Sequence, residues 1–232
     1  MTTTAITTTP FLHSSAELLT GEPASYADWE LKEFTGSWED LEVDAYLKDG
    51  ATFRRRRYGQ FRLDGDRIVP VATGAFEQST EVNAVFGGLQ RHFEPIRDHV
   101  AASPVLQSIV STFLSVLPGP LDTATAGIGV HQIRIIARRD EAWPPAPEGI
   151  HEDGHHYVAQ VLINRQNVVG GESQLYDRER APLFRTTLLE PFESIVIDDR
   201  RVFHGVSAVA PAEDVSVGVR DMMLIDFFPL GD

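Results

Sequence analysis

The sequence contains no cysteine, and this absence removes several kinds of chemistry. Disulfide bonds, thiolate metal sites and thiol nucleophiles are all excluded. A metal ion in this protein must therefore be held by histidine and carboxylate groups. Ligands of these two kinds favour iron, manganese or zinc.

Lysine, net positive charge and long apolar runs are also scarce. Of the 20 cationic residues only Lys32 and Lys48 are lysines, and the net charge is −14. Nucleic-acid binders usually present a basic face, so we expect no nucleic-acid partner. No run of about 18 apolar residues could span a bilayer, and the N-terminus lacks the features of a secretion signal. We therefore expect a cytoplasmic protein with a small charged substrate and no membrane partner, whose oligomeric state the sequence leaves open.

The length and composition indicate one domain. The chain has 232 residues, and 42% of them are hydrophobic, which is enough for a substantial core. The polar, threonine-rich start predicts a flexible N-terminus over residues 1–12. A single domain is expected over residues 13–232, with its main β core at about 125–230 and N-terminal helices and a hairpin buttressing that core.

Local patterns predict both helices and strands. Asp64-Gly65 is a strong hairpin signal between two strand-like runs. Apolar residues at spacings of three and four predict a helix over residues 104–117, and residues 89–96 resemble the start of another amphipathic helix. Six later segments have strand patterns, namely 130–137, 157–163, 173–176, 184–189, 194–197 and 222–228. Many short strands with glycine and proline between them predict a mainly β, α+β fold with a jelly-roll core and flanking helices.

The run of four arginines, Arg54 to Arg57, allows two interpretations. In an extended strand, alternate side chains point to opposite faces, so two arginines face each way. The run is then either a solvated edge strand or a strand with one pair of arginines turned inward to hold a substrate carboxylate.

A metal-ligand pattern is the most informative feature of the chain. His151 and Asp153 are separated by one residue, so on extended backbone both side chains point to the same side. His204 follows 51 residues after Asp153, beyond several strand-like segments. Two histidines and one carboxylate form the facial triad that leaves three octahedral positions open on non-haem Fe(II). Asp199 and Arg200, close to His204, are expected either to pair with each other or to contact substrate.

Four ordered motifs resemble a known family. They are APEGIHEDG at residues 146–154, VLINRQNVVGGES at 161–173, IDDRRVFHGV at 197–206 and VRD at 219–221. The similarity runs over residues 54–228 and is to the bacterial Fe(II)/2-oxoglutarate dioxygenases that hydroxylate free amino acids, the isoleucine dioxygenase type. The resemblance implies a double-stranded β-helix, the cupin-like form of the jelly roll.

The resemblance also implies cofactors and site residues. By analogy His151, Asp153 and His204 bind Fe(II), and Arg220 holds the far carboxylate of 2-oxoglutarate. O₂ is the second cosubstrate, and ascorbate is expected to stimulate turnover. Gln132 and Arg134 share one face of a predicted strand and are further candidates for contact with 2-oxoglutarate or with a substrate carboxylate.

Other functions stay open at this point. The implied reaction is hydroxylation of a free aliphatic or similar L-amino acid with succinate and CO₂ as coproducts, but the same oxidation can end in desaturation or ring closure, as in natural-product biosynthesis. A zinc hydrolase or isomerase could use the same three ligands. A non-catalytic jelly-roll binding module is a third possibility. A free substrate is favoured over one tethered to a carrier protein, because such carriers tend to be acidic and this chain is acidic too.

Overall fold

The computed structural model describes residues 6, 9–21, 26–65, 67–72, 74–83, 85–118, 126–139 and 145–229. Its helices are α1 (Glu17–Thr20), α2 (Asp28–Gly36), α3 (Asp98–Ala101) and α4 (Pro104–Val116), with 3-10 turns at Ser37–Asp40 and Lys48–Gly50. Its strands are β1 (Phe11–Ser14), β2 (Glu42–Val43), β3 (Arg54–Asp64), β4 (Arg67–Pro70), β5 (Ala126–Arg138), β6 (Tyr157–Gln166), β7 (Val168–Gly170), β8 (Ser173–Tyr176), β9 (Pro182–Thr186), β10 (Ser194–Asp198), β11 (Phe203–Val206), β12 (Val209–Pro211) and β13 (Val217–Pro229).

The strands form one large and two small antiparallel sheets. The large sheet has the order β1-β10-β6-β13-β5-β3-β2, with β4 paired to β3. The smaller sheets are β11-β8-β9 and β12-β7. This arrangement confirms the mainly β, jelly-roll core with flanking helices. Strands β5 to β13 cover the predicted core, and β1 to β4 extend the same large sheet beyond it.

The two faces of the large sheet pack against different partners. One face packs against the helices, where Val105, Ile109 and Phe113 of α4 join one apolar cluster with Val161 of β6. The other face packs against the small sheets and carries a second cluster. Each fully buried side chain of this size contributes roughly 1.5–3 kcal/mol of burial free energy. The second face is the one that can form a cavity between sheets.

Helix α4 and the first hairpin follow from local sequence. The Oγ atom of Ser103 accepts the N–H of Val105 and caps α4, and Pro104 occupies the first helical turn, where its missing N–H has no cost. Gly65 has a φ of 63° in the turn between β3 and β4, a conformation that glycine adopts without strain. The predicted helix at residues 104–117 and the predicted hairpin are both confirmed. No helix of the described ranges is long and apolar enough to cross a membrane.

Two predictions about local structure are wrong. Residues 89–96 form no helix, because this segment is extended and makes single bridges to Phe76 and Tyr58 through Arg91 and Pro95. Phe11 and Leu12 were assigned to the flexible N-terminus, but they begin β1 and pair with β10. Their side chains pack beside the clusters on the large sheet, which explains why the strand is ordered. Residues 1–5, 7 and 8 of the predicted flexible segment lie outside the described residues.

Candidate metal centre and its cavity

The structure brings the three predicted metal ligands together. The backbones of His151 and His204 are joined as a two-residue antiparallel bridge, with N–H to O distances of 2.9 Å and 2.8 Å. Asp153 follows two residues after His151, so its carboxylate turns toward the same point. One ligand atom from each residue lies within 4.8 Å of the other two. Strand pairing, and not sequence proximity, therefore positions the distant histidine.

The distances between these ligand atoms suit a single metal ion. The Nε2 atom of His151 is 3.5 Å from one Asp153 oxygen, and the Nε2 atom of His204 is 3.3 Å from the other. Ligands bound about 2.1 Å from a metal at right angles are separated by roughly 3 Å. The donor set and its spacing thus fit the facial triad of a non-haem iron site.

Hydrogen bonding and charge prepare these groups for a metal. The Nδ1 atom of His151 lies 2.9 Å from the carbonyl oxygen of Gly149. A proton on Nδ1 forms this hydrogen bond and leaves the lone pair of Nε2 free to bind a metal. Burial disfavours charge on Asp153, but the adjacent imidazoles of His204 and His151 outweigh it and hold the pKa of Asp153 well below its usual range. Burial likewise opposes charge on His204, yet Asp153 and Asp199 raise its pKa to about 10. The two imidazoles therefore favour the ionised form of the Asp153 carboxylate, which is the form that binds a metal.

A second carboxylate fixes the backbone of the ligand loop. Asp199 is 1% exposed, and its oxygens accept the backbone N–H groups of Asp153, Gly154 and His155 at 2.8–3.2 Å. The expected pairing of Asp199 with Arg200 is wrong, because Arg200 instead bonds Asp198 and the hydroxyl of Tyr157. Asp199 orients the metal-ligand loop and does not serve as a surface charge.

Arg220 lies in the cavity that contains the three ligands. The cavity has a volume of about 130 Å³. Arg220 is 3% exposed, and within the described part of the chain its Nε atom has no hydrogen-bond partner. Burial lowers the pKa of Arg220 to about 10, and the like charge of Arg165 contributes in the same direction. Gly171 lies so close that an added Cβ atom would be 3.1 Å from this Nε atom. A buried, unpaired guanidinium fits the distal carboxylate of 2-oxoglutarate.

The prediction for Gln132 and Arg134 is wrong. Both side chains point from β5 to the helical face of the sheet, away from the cavity. Gln132 donates to the hydroxyl of Ser37, and Arg134 forms ion pairs with Asp221 and Glu39 at 2.6–2.8 Å. The cavity is lined instead by the alternate residues of the same strand, including His131 and Ile133. Gln132 and Arg134 do share a face of the strand, as predicted, but it is the face toward the helices and not the face toward the cavity.

The four arginines of β3 divide as strand alternation requires. Arg54 and Arg56 face the cavity, whereas Arg55 and Arg57 bond backbone carbonyls on the opposite side. Strand β3 is paired with β5 and β2, so the interpretation as a solvated edge is wrong, and one pair of arginines faces inward. Arg91 also lines the cavity, and sequence reasoning missed it because a single arginine in an irregular segment has no motif.

Comparison with known proteins identifies similar enzymes. L-isoleucine-4-hydroxylase of Bacillus thuringiensis is 27% identical over 223 residues, covering 94% of this chain and 90% of that protein. The 3(1)-hydroxy-L-isoleucine 4-dioxygenase of Pantoea ananatis is 26% identical over 206 residues, covering 85% and 81%. The crystal structure of a bsmA homologue from Methylobium petroleophilum superposes with a TM-score of 0.79 at 29% identity, covering 96% of this chain and 90% of that one.

The family comparison agrees with the geometry. The model of the 2OG-Fe dioxygenase family matches residues 35–226, which is most of the chain and includes the three ligands and Arg220. The chain belongs to the 2OG-Fe dioxygenase family, and it is therefore an oxidoreductase that uses Fe(II), 2-oxoglutarate and O₂ and not a zinc hydrolase or a non-catalytic binding module.

Proposed function

We propose that this enzyme hydroxylates an sp³ C–H bond of a free aliphatic L-amino acid and releases succinate and CO₂. The observation that carries the proposal is the placement of the His151–Asp153–His204 cluster and the buried Arg220 in one cavity. The names of the two relatives support the substrate class, since both refer to L-isoleucine or a hydroxylated form of it.

Each residue has a distinct role in this proposal. His151, Asp153 and His204 hold Fe(II) through three protein ligands and leave the remaining positions for other groups. Arg220 binds the far carboxylate of 2-oxoglutarate through charged hydrogen bonds. When bound, iron and 2-oxoglutarate together supply an oxidant strong enough to attack an unactivated C–H bond.

The cavity walls suit an aliphatic side chain. Ile133, Met222 and Leu224 contribute apolar surface between the charged groups of the cavity. Apolar walls bind the hydrocarbon part of the substrate and exclude water from the reacting position. The net charge of −14 opposes an acidic carrier protein and so favours a free amino acid.

The proposal is tested by aerobic turnover with Fe(II), ascorbate and 2-oxoglutarate against L-isoleucine, L-leucine, L-valine, L-norleucine and L-methionine. Succinate and product mass are measured together. We expect one of these amino acids to gain one oxygen atom, and we expect the oxidised product and succinate to form in equal amounts. Loss of two hydrogens would instead assign desaturation or cyclisation.

The matched variant for this assay is Asp153→Ala. It removes one ligand and should abolish both succinate and product. If the wild type, with iron bound, forms no succinate with any amino acid of the panel, the proposal is contradicted. The search would then turn to an unusual or tethered substrate.

A further inference from the structure

Two more buried arginines, Arg56 and Arg91, face the cavity. Arg56 is 7% exposed and Arg91 is 2% exposed. Among the described residues neither has a carboxylate oxygen within 4.0 Å, and the Nε atom of each has no hydrogen-bond partner. An unpaired buried cation is unfavourable, so such groups are kept where a ligand supplies the missing charge.

Arg54, the third cationic residue of this wall, shows the contrast. Its Nε and Nη2 atoms each lie 2.8 Å from one oxygen of Asp44, a carboxylate whose side chain is fully buried. The chain thus neutralises Arg54 internally. Arg56, on the same face of the same strand, has no carboxylate oxygen this close among the residues that the structure describes.

Aromatic rings hold the two unpaired arginines together. The Cζ atom of Arg56 is 5.3 Å from the ring centre of Phe76 and 4.3 Å from that of Phe93. The Cζ atom of Arg91 is 4.8 Å and 5.9 Å from the same two rings. Stacking on rings restrains a guanidinium group while its N–H edge stays available. The two groups therefore form one cationic patch, here called the Arg56–Arg91 patch.

Hydrogen bonds fix one edge of Arg56. Its Nη2 atom donates to Nδ1 of His131 at 2.7 Å, and Nε2 of His131 donates to Asp226 at 2.8 Å. Burial, and next the charge of Arg56, lower the pKa of His131 to about 4, so the imidazole is neutral and only these proton positions satisfy both bonds. His131 orients Arg56 without cancelling its charge.

A second chain of hydrogen bonds links Arg91 to the metal centre. The Oε1 atom of Gln78 accepts from Arg91 at 2.7 Å and from Asn83 at 2.9 Å. The Nε2 atom of the same amide donates to the carbonyl oxygen of Asp153 at 3.1 Å. Arg91 is therefore held at a fixed position relative to a metal ligand, as an anchor for a reacting substrate must be.

We propose that the Arg56–Arg91 patch binds the α-carboxylate of the amino acid substrate, at a site separate from Arg220. This inference rests on the proposed function. In the proposed function one carboxylate of 2-oxoglutarate binds the metal and the other binds Arg220. Neither is then available to the Arg56–Arg91 patch. Glu148 lines the same cavity and is the largest favourable charge acting on Arg91, which suits the ammonium group of the same substrate.

The test uses four variants, R56Q, R56K, R91Q and R91K, with R55Q as the matched control on the outer face of β3. For the best amino acid of the panel, the glutamine variants should raise KM about 30- to 1,000-fold, because a buried charge-paired contact is lost. KM for 2-oxoglutarate should change less than about threefold. The lysine variants should recover part of the loss, and R55Q should behave as the wild type. Unchanged KM for the amino acid in folded R56Q and R91Q would overturn the inference.

A measurement on the wild type covers the case in which a glutamine variant does not fold. Binding of the amino acid and of its primary carboxamide is compared by calorimetry without O₂, in the presence of Fe(II) and 2-oxoglutarate. We expect the carboxamide to bind at least about 30-fold more weakly, with the difference reduced in R91K. Equal binding of acid and carboxamide would refute the carboxylate site. No binding of any panel amino acid would instead refute the proposed function, so the two failures are distinguishable.

Discussion

The carboxylate of Asp199 accepts the backbone N–H of Asp153 at 3.0 Å, and it also accepts the next two N–H groups of the loop. Three backbone donors on one buried carboxylate restrict the loop that carries two of the candidate ligands. The third ligand, His204, is tied to His151 by backbone pairing. These backbone contacts therefore restrain all three candidate ligands.

Asp199→Asn is predicted to weaken metal binding. The amide has only one oxygen to accept three N–H groups, and its own NH₂ group faces them. Loss of outer contacts of this kind typically lowers metal affinity about 10- to 100-fold. Titration with Co(II) or Fe(II), followed by absorbance or calorimetry, measures the effect.

The matched control for this prediction is Asp198→Asn. Asp198 is the adjacent residue, but its carboxylate bonds Arg200. Affinity in D198N should match the wild type, and equal loss in both variants would show that the effect is not specific to the ligand loop.

Arg220→Gln is predicted to raise KM for 2-oxoglutarate about 100-fold with little change in folding stability. The Nε atom of Arg220 has no hydrogen-bond partner among the described residues, and the variant loses a charged contact with the ligand. Steady-state kinetics at saturating amino acid gives the value. Arg185→Gln, on the exposed strand β9, is the control, and an unchanged KM in R220Q would remove Arg220 from the cosubstrate site.

The sequence predicted the parts of the fold and site that depend on local patterns. His151 and Asp153 are two apart on extended backbone, and that spacing alone places both carboxylate and imidazole on one side. Helix α4 and the Asp64-Gly65 turn also carry their own signals, namely apolar spacing and a residue that tolerates positive φ. These features need no knowledge of distant contacts.

The remaining features depend on tertiary packing. Alternation shows that Gln132 and Arg134 share a face, but only the position of helices and small sheets decides which face is the cavity. Residues 89–96 have a helical pattern, yet Arg91 is drawn into the cavity wall by Gln78 and the aromatic rings. Contacts between segments far apart in sequence overrode local preference there.

Arg134→Gln is predicted to lower stability and leave cosubstrate binding unchanged. The variant leaves the buried carboxylate of Asp221 without its bidentate partner, and breaking one partner of a buried ion pair costs about 3–5 kcal/mol. Denaturant unfolding measures the loss in free energy of unfolding. A raised KM for 2-oxoglutarate in this variant would instead restore Arg134 to the cosubstrate site.

Stability at acidic pH is predicted to depend on His131. Burial and the charge of Arg56 lower the pKa of His131 to about 4, although the charge of Asp226 opposes this shift. The ring of Tyr58 stacks on His131, and His155 lies 3.5 Å from Asp226. Between about pH 4 and 6.5 the unfolded chain binds a proton that the folded chain does not. The contribution of His131 is therefore complete above about pH 6.5, and about 3 kcal/mol of it is lost as the pH falls to 4.

The check is a comparison of wild type and His131→Asn by denaturant unfolding from pH 4.5 to 7.5 without metal. Asparagine can keep one acceptor and one donor but does not titrate. The wild type should lose stability more steeply on acidification, by up to about 1.4 kcal/mol per pH unit. Parallel curves would contradict the lowered pKa, because they would show that His131 has the same pKa in the folded and unfolded protein.

Turnover under ¹⁸O₂ tests the central claim most directly. The wild type is incubated with Fe(II), ascorbate, 2-oxoglutarate and the best amino acid of the panel, and the masses of succinate and product are recorded. A dioxygenase that hydroxylates its substrate puts one atom of O₂ into each, so both masses should rise by one ¹⁸O. Product oxygen that comes from water, or succinate formed without oxidised amino acid, would contradict the account.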